Sequence, residues 1–150
     1  MTRFRSETLS GETLALDVQT LHHVAVPVSD LARAKRFYAD VLGLTEIARP
    51  AFPFDGAWFQ IGGRELHLIV AANPTFRAGK PVDSRDGHFA IRVRSFRRAL
   101  EHLQSIGYRE RNDDELRSIR VSVAGPTGYP QIHVMDPDRN MIEINAERLD

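Results

Sequence analysis

Four side chains that can bind a metal occupy matching places in the two halves of this 150-residue sequence. His23 and His88 each open a run of alternating branched residues, at a fixed offset of 65 positions. A second echo relates His67, within Glu-Leu-His-Leu-Ile-Val, to Glu143, within Met-Ile-Glu-Ile-Asn-Ala. Imidazole nitrogens and carboxylate oxygens are common ligands of divalent metals. The repeat therefore predicts one metal site built from two related halves.

Glu143 lies between Ile142 and Ile144 on a strand that we expect to be buried. A buried carboxylate is costly unless it is paired or bound to a metal. We therefore predict Glu143 as a metal ligand and as the catalytic base, together with the ligands His23 and His88. His67 is either a fourth ligand or an acid or base beside the metal.

Several further residues are candidates for contact with a substrate. His133 stands ten residues before Glu143, on the neighbouring strand of a predicted hairpin, and shares a face with Gln131. If that face forms the cleft, both contact the substrate or His133 transfers a proton; otherwise they are packed strand residues. Phe54 and Trp58 either wall a substrate pocket or belong to the core. Arg120 either holds an anionic substrate or lies on a solvated face.

The elements that carry these residues are predicted in a repeated order, with one additional short strand after the helix in the second half. Hydrophobic alternation, helix caps and glycine turns predict one helix followed by further strands in each half. The first half has a strand at 21–28, a helix from the Ser29-Asp30 cap to Gly43, and strands at 44–47, 57–61 and 66–71. The second has a strand at 88–93, a helix from Ser95 to Gly107, and strands at 108–111, 119–124, 131–135 and 141–145.

This order predicts an α+β fold of two βαβββ modules related by a pseudo-twofold axis. Their curved mixed sheets would pair to bury more surface and leave a cleft between them. We assign residues 1–18 to an N-terminal extension, 19–72 to the first module, 73–86 to a linker and 87–147 to the second module. The two modules together form one domain.

Composition excludes several classes of function. The 20 basic and 20 acidic residues cancel, so no overall field favours nucleic acid. The chain has no cysteine, which excludes disulfides, thiolate metal sites and a cysteine nucleophile. Its apolar runs are far shorter than the roughly 20 residues of a membrane span, and residues 1–18 do not resemble a signal peptide. We expect a cytoplasmic protein that acts on a small molecule.

Four segments together resemble the vicinal oxygen chelate superfamily, the group of glyoxalase I, fosfomycin-resistance thiol transferases, bleomycin-resistance proteins and extradiol dioxygenases. They are residues 23–44, 66–69, 88–93 and 136–144, and the resemblance spans roughly 21–147. It implies paired βαβββ modules, often in a homodimer whose cleft can use modules of both chains. It also implies one divalent metal ion (Ni, Zn, Fe, Mn or Co) held at His23, His88 and Glu143, with a possible fourth ligand at His67.

The sequence departs from relatives at four informative positions. Glyoxalase I normally has glutamate at the place of His67, and a glutathione-binding arginine at the place of Pro27. Extradiol dioxygenases have an active-site tyrosine at the place of His133. Arg139 replaces the usual glycine of an Asp-Pro-Asp-Gly turn, which predicts a non-glycine residue at positive φ.

Three functions fit this pattern, and we favour the first. It is a metal-dependent lyase or isomerase of glyoxalase I type, acting on a substrate with vicinal oxygens through a metal-bound enediolate. The second is a ring-cleaving dioxygenase in which two histidines and one carboxylate hold ferrous iron. The third is a metal-free protein that sequesters an antibiotic or another ligand.

Overall fold

The computed structural model describes residues 16–71, 77 and 79–150. The first half contains β1 (His23–Val28), α1 (Leu31–Arg36), a π-helical turn (Phe37–Val41), β2 (Thr45–Ile47), β3 (Gly56–Ile61) and β4 (Arg64–Val70). The second contains β5 (His88–Val93), α2 (Phe96–Ser105), a 3-10 turn (Glu115–Arg117), β6 (Arg120–Ser122), β7 (Gln131–Met135) and β8 (Met141–Ala146). The predicted α+β class and the βαβββ order of both modules are confirmed.

Each module forms one mixed four-stranded sheet, and the two sheets have the same topology. Their strand orders are β1-β4-β3-β2 and β5-β8-β7-β6. The first and last strands of each module pair in parallel, and the other pairs are antiparallel. The registers also agree, because Ala25 pairs with His67 and Ala90 pairs with Glu143. His67 and Glu143, which correspond in the sequence repeat, therefore also occupy equivalent positions in the two sheets.

Both helices begin at the predicted caps. The side chain of Asp30 accepts a hydrogen bond from the backbone N–H of Arg33, and Ser95 accepts one from Arg98. The first helix widens into the π-helical turn, where the N–H of Leu42 donates to the carbonyl of Phe37 at 3.1 Å. Gly43 then follows at φ 70°, a conformation that glycine adopts without strain.

One face of each sheet packs with the helices into a continuous apolar core. Alternate residues along each strand are buried there, as the period of a strand requires. The core includes Val26, Val28, Tyr38, Phe59, Leu66, Leu68, Phe96, Leu103, Ile132, Val134, Ile142 and Ile144. The predicted site residues on these strands alternate with the core residues and therefore face the opposite side of each sheet.

The predicted strand at 108–111 is wrong. Only a single bridge joins Arg109 to Ser118, and Arg111 adopts φ 55°, which breaks an extended run. The side chain of Asn112 donates to the carbonyl of Gly107 at 2.7 Å and folds the segment into a turn. The predicted positive φ of Arg139 is confirmed at 66°.

The hairpin between β7 and β8 ties the second module to the first. The hydroxyl of Tyr38 donates to the buried carboxylate of Asp136 at 2.9 Å, and the side-chain amide of Asn140 donates to the carbonyl of Pro27 at 3.0 Å. Burial raises the pKa of Asp136, although hydrogen bonds from Asn140 and Tyr38 oppose this effect. These contacts fix the position of one sheet relative to the other.

Most of the predicted N-terminal extension, 1–18, lies outside the described residues, as does part of the predicted linker, 73–86. The proposed domain boundaries remain predictions. In the described part of the chain, no helix has the length and apolar character needed to cross a membrane.

Candidate metal centre

Three neighbouring strands of the second sheet bring a carboxylate and two imidazoles together. Glu143 on β8 lies directly opposite His133 on β7, and His88 opens the adjacent strand β5. The Nε2 atoms of His88 and His133 lie 3.3 Å and 3.5 Å from the same oxygen, Oε2 of Glu143. Each residue thus offers a ligand atom within 4.8 Å of the other two. This is the spacing at which three donors can bind one metal ion.

The carboxylate of Glu143 is held in a defined orientation. It is 5% exposed, and its Oε1 atom accepts a hydrogen bond of 2.6 Å from the side-chain amide of Asn145. Burial raises the pKa of Glu143, but hydrogen bonds from Asn145 and Gln131 and the adjacent histidines outweigh it, so that the pKa is lowered overall. Glu143 is therefore an ionised carboxylate at neutral pH, with Oε2 turned toward the imidazoles.

Both histidines turn Nε2 toward that oxygen. The Nδ1 atom of His88 lies 2.7 Å from the carbonyl of Asp86. A carbonyl can only accept, so Nδ1 of His88 is the donor of this hydrogen bond and carries a proton. Burial lowers the pKa of His133, despite the opposing effect of Glu143, which favours the neutral ring.

The donor set fits a divalent cation. Imidazole nitrogens and a carboxylate oxygen are the ligand types that a divalent ion prefers, and here two imidazoles and one carboxylate converge. A buried acceptor, Oδ1 of Asn145, also lacks a hydrogen-bond partner among the described residues. The second sheet thus brings three donors of the types that bind divalent metals within reach of one ion.

The equivalent residues of the first sheet form a stack of rings. The ring of His67 lies between those of Trp58 and His23, at centroid distances of 4.0 Å and 4.1 Å. Nε2 of His67 contacts the carboxylate of Glu65 at 2.8 Å, and Nδ1 of His23 contacts Nδ1 of His22 at 2.8 Å. The first sheet therefore stacks three of its predicted site residues, with His67 in the middle.

The four predicted ligands are therefore divided between the sheets. His88 and Glu143 lie within ligand distance of each other, and His133 is the third member of their group in the described part of the chain. A cavity of about 510 Å³ between β1 and β5 is lined by both His23 and His88. The ligand roles of His23 and His67 remain predictions.

The predicted substrate contacts are also spread over both sheets. Gln131 lies close enough to Glu143 to help lower its pKa, and exposed Arg120 on β6 lies opposite His133 in the strand register. Phe54 is 43% exposed and stacks on Phe52, which lies beneath the guanidinium of Arg49.

Sequence reasoning missed the contributions of Asn145 and Asp86. The position of Asn145, two residues after Glu143 on the same face of a strand, was a usable signal. Asp86 contacts His88 through its backbone carbonyl. Every residue has this group, so the sequence offers no signal for the contact.

Comparison with known proteins agrees with this architecture. The family model described as glyoxalase/bleomycin resistance protein/dioxygenase superfamily matches residues 20–144. Glyoxylase I 4 of Arabidopsis thaliana is 30% identical over 131 residues, which cover 86% of this chain and 71% of that protein.

Two solved structures share the fold. A glyoxalase/dioxygenase from Nostoc punctiforme has a TM-score of 0.69 at 24% identity, covering 90% of this chain and 96% of that one. A lactoylglutathione lyase from Agrobacterium tumefaciens has a TM-score of 0.62 at 18% identity, with coverage of 87% and 96%. From the extent of the family match, the chain belongs to the glyoxalase/bleomycin resistance protein/dioxygenase superfamily.

Proposed function

We propose that this protein is a metal-dependent lyase or isomerase of glyoxalase I type, acting on a small substrate with two neighbouring oxygens. The observation that carries the proposal is the convergence of His88 and His133 on one oxygen of the ionised Glu143. The name of the plant relative, glyoxylase I 4, supports the same chemistry. A bound divalent ion (Ni, Zn, Fe, Mn or Co) would polarise the two substrate oxygens.

Glu143 is the proposed base. Its carboxylate would take the proton from the hydroxyl-bearing carbon beside a carbonyl group and return it to the former carbonyl carbon. The hydroxyl proton would pass to the former carbonyl oxygen, so that the net change is an isomerisation with no atom gained or lost. The low pKa of Glu143 keeps it ionised before the reaction. The hydrogen bond from Asn145 would hold the carboxylate in place while the proton is transferred.

The substrate contacts are part of the proposal. Gln131 lies beside the base, and Arg120 would hold an anionic group of the substrate. On the first sheet, Trp58 and Phe54 would pack against its apolar part. His23 and His67 would add ligands to the metal.

A homodimer is also part of the proposal, and exposed apolar side chains support it. Leu21 is 65% exposed, and Phe52 and Phe54 are each more than two-fifths exposed. Sedimentation velocity of the full chain would measure the dimer directly, and a monomer at micromolar concentration would contradict it.

Elemental analysis and turnover test the proposed activity together. The purified protein should contain about one divalent ion per chain and should convert methylglyoxal in the presence of glutathione or another small thiol. Glu143→Gln should lose turnover, whereas Glu65→Gln, which removes a carboxylate from the first sheet, should keep most of it. Unchanged metal content in a His88→Ala, Glu143→Gln double variant would contradict the site itself.

A ring-cleaving dioxygenase is the second candidate function. Two histidines and one carboxylate with open positions are the ligand set of many non-haem ferrous enzymes, and His88, His133 and Glu143 provide this set. Oxygen uptake by the ferrous protein with a panel of catechols would favour this reading. A ferrous protein that is inert to the whole panel would count against it.

A further inference from the structure

An arginine outside the metal centre has every donor of its side chain occupied. Nε and Nη2 of Arg77 donate to Oδ2 of Asp86 at 2.8 Å and 2.5 Å. Nη2 also donates to the carbonyl of Pro81, while Nη1 donates to the carbonyl of Arg139 and contacts the sulfur of Met135. These contacts use all five N–H groups of a guanidinium, and the side chain is only 16% exposed.

The contacts join two parts of the chain that flank the metal centre. Asp86 and Pro81 belong to the segment before β5, whereas Met135 and Arg139 belong to the β7–β8 hairpin. Arg77 therefore ties the segment that leads into His88 to the hairpin that carries His133 and Glu143.

The same connection reaches the imidazole of His88. The side chain of Asp86 is gripped by Arg77, and its backbone carbonyl accepts the hydrogen bond from Nδ1 of His88. Lys80 adds a weaker charge contact, with Nζ 3.7 Å from the other carboxylate oxygen. The position of that carbonyl determines which ring nitrogen carries the proton.

We propose that Arg77 is a positioning residue for the metal centre, which it serves by holding Asp86 so that His88 keeps its proton on Nδ1. Nε2 of His88 then faces Glu143 and is the nitrogen that would bind a metal. The inference rests on the proposed function, because it gives His88 a role as a ligand. Hydrogen bonds to the second nitrogen of a ligating histidine commonly fix its tautomer and raise metal affinity.

Loss of Arg77 has a definite chemical consequence. Without the guanidinium, the carbonyl of Asp86 is no longer held against Nδ1 of His88. The proton then moves to Nε2, where the carboxylate of Glu143 lies 3.3 Å away and can accept it. A hydrogen bond between His88 and Glu143 would occupy the two atoms that should bind the metal.

The test begins with the tautomer of His88 in the metal-free full-length protein. Long-range ¹H–¹⁵N NMR spectra distinguish a protonated from an unprotonated ring nitrogen, and a His88→Gln variant assigns the signal. The wild-type chain should show Nδ1–H. Arg77→Gln should shift His88 toward Nε2–H, whereas the matched control Arg85→Gln should not, because the guanidinium of Arg85 hydrogen-bonds to Asp83 at the surface and not to Asp86.

A second arm measures metal affinity by competition with a chelator. Arg77→Gln should lower the affinity by about 10–100-fold, and Asp86→Ala should lower it by a similar factor. The double variant should lose little more than either single variant, because both remove the same connection. Arg77→Lys keeps the charge but not the five-bond geometry, so it should recover only part of the affinity.

Two results would overturn the proposal. One is a wild-type His88 protonated on Nε2, and the other is an Arg77→Gln variant whose tautomer and affinity match those of Arg85→Gln. If Arg77→Gln does not fold, Asp86→Ala and Arg77→Lys decide the question by the same two measurements. A folded wild-type chain that binds no metal would refute the proposed function, whereas the tautomer alone decides the positioning role.

Discussion

The two sheets of this protein share one backbone plan and differ in the chemistry that they carry. At matched positions on β4 and β3, the first sheet has His67 opposite Trp58, and these rings stack at 4.0 Å. On β8 and β7, the second sheet has Glu143 opposite His133, and these side chains meet as a carboxylate and an imidazole. Strand register determines where the site residues stand, and side-chain type determines whether they stack or bind a metal.

The next position along the same strands extends the contrast. In the first sheet Ile69 lies two residues beyond His67, while in the second Asn145 lies two residues beyond Glu143 and hydrogen-bonds to it. The second sheet supports its carboxylate with neighbouring polar groups, and the first sheet surrounds His67 with rings. We infer that the second sheet supplies the reactive groups and that the first supplies a surface for the substrate and further ligands.

The largest expected effect separates the matched positions Glu143 and His67. Glu143→Gln should lower metal affinity by about a thousandfold, because it removes the charged donor on which both imidazoles converge. His67→Gln should lower it by about tenfold or less. Competition titration with a chelator measures both. Equal losses would show that the metal is shared evenly between the sheets, as the sequence repeat predicts.

The turns of the two β-hairpins, β3–β4 and β7–β8, should differ in how much a substitution costs in stability. The second hairpin holds buried Asp136, which accepts hydrogen bonds from Tyr38, Asn140 and the backbone. Asp136→Ala should cost about 2–4 kcal/mol of unfolding free energy, because it leaves several buried donors unpaired. Gly63→Ala in the exposed turn of the first hairpin has open space around it and should change stability by about 0.5 kcal/mol or less. Denaturant unfolding of the metal-free variants tests the difference, and similar costs would contradict it.

Truncation of His133 or Trp58, which lie opposite Glu143 and His67 on the neighbouring strands, should have a smaller effect on metal affinity than loss of Glu143. His133→Ala should lower metal affinity by about 10–100-fold, since it removes one of three donors but leaves His88 and Glu143 paired. Trp58→Ala, at the matched position, should leave the affinity within about threefold, because it removes a stacking partner and no donor. A greater loss in Trp58→Ala would show that the ring stack itself orders the metal ligands.

The sequence was sufficient for the parts of the site that depend on periodicity. The repeat located β1 and β5, and the alternation around Glu143 placed it on the face of its sheet opposite the apolar core. The sequence could not decide whether His133 faces the site or is only a packed strand residue, because that depends on the register of the hairpin. The sequence also could not predict the tautomer of His88, since the tautomer depends on a hydrogen bond to a backbone carbonyl. The strand expected at 108–111 failed because Arg111 and Asn112 form a turn.

The smallest expected effect concerns the pH dependence that the second hairpin imposes and the first does not. Burial raises the pKa of Asp136 in the folded protein above its ordinary value, despite the opposing hydrogen bonds. Between the unfolded and folded pKa values the folded chain holds more protons, so the contribution of this group to stability falls as pH rises through that window. The stability advantage of the wild type over Asp136→Asn, measured by denaturant unfolding with chelator present, should therefore be largest on the acid side and decline toward neutral pH. A constant difference would mean that Asp136 does not titrate differently in the folded and unfolded chains, and an advantage that grows with pH would mean that hydrogen bonding outweighs burial at this hairpin.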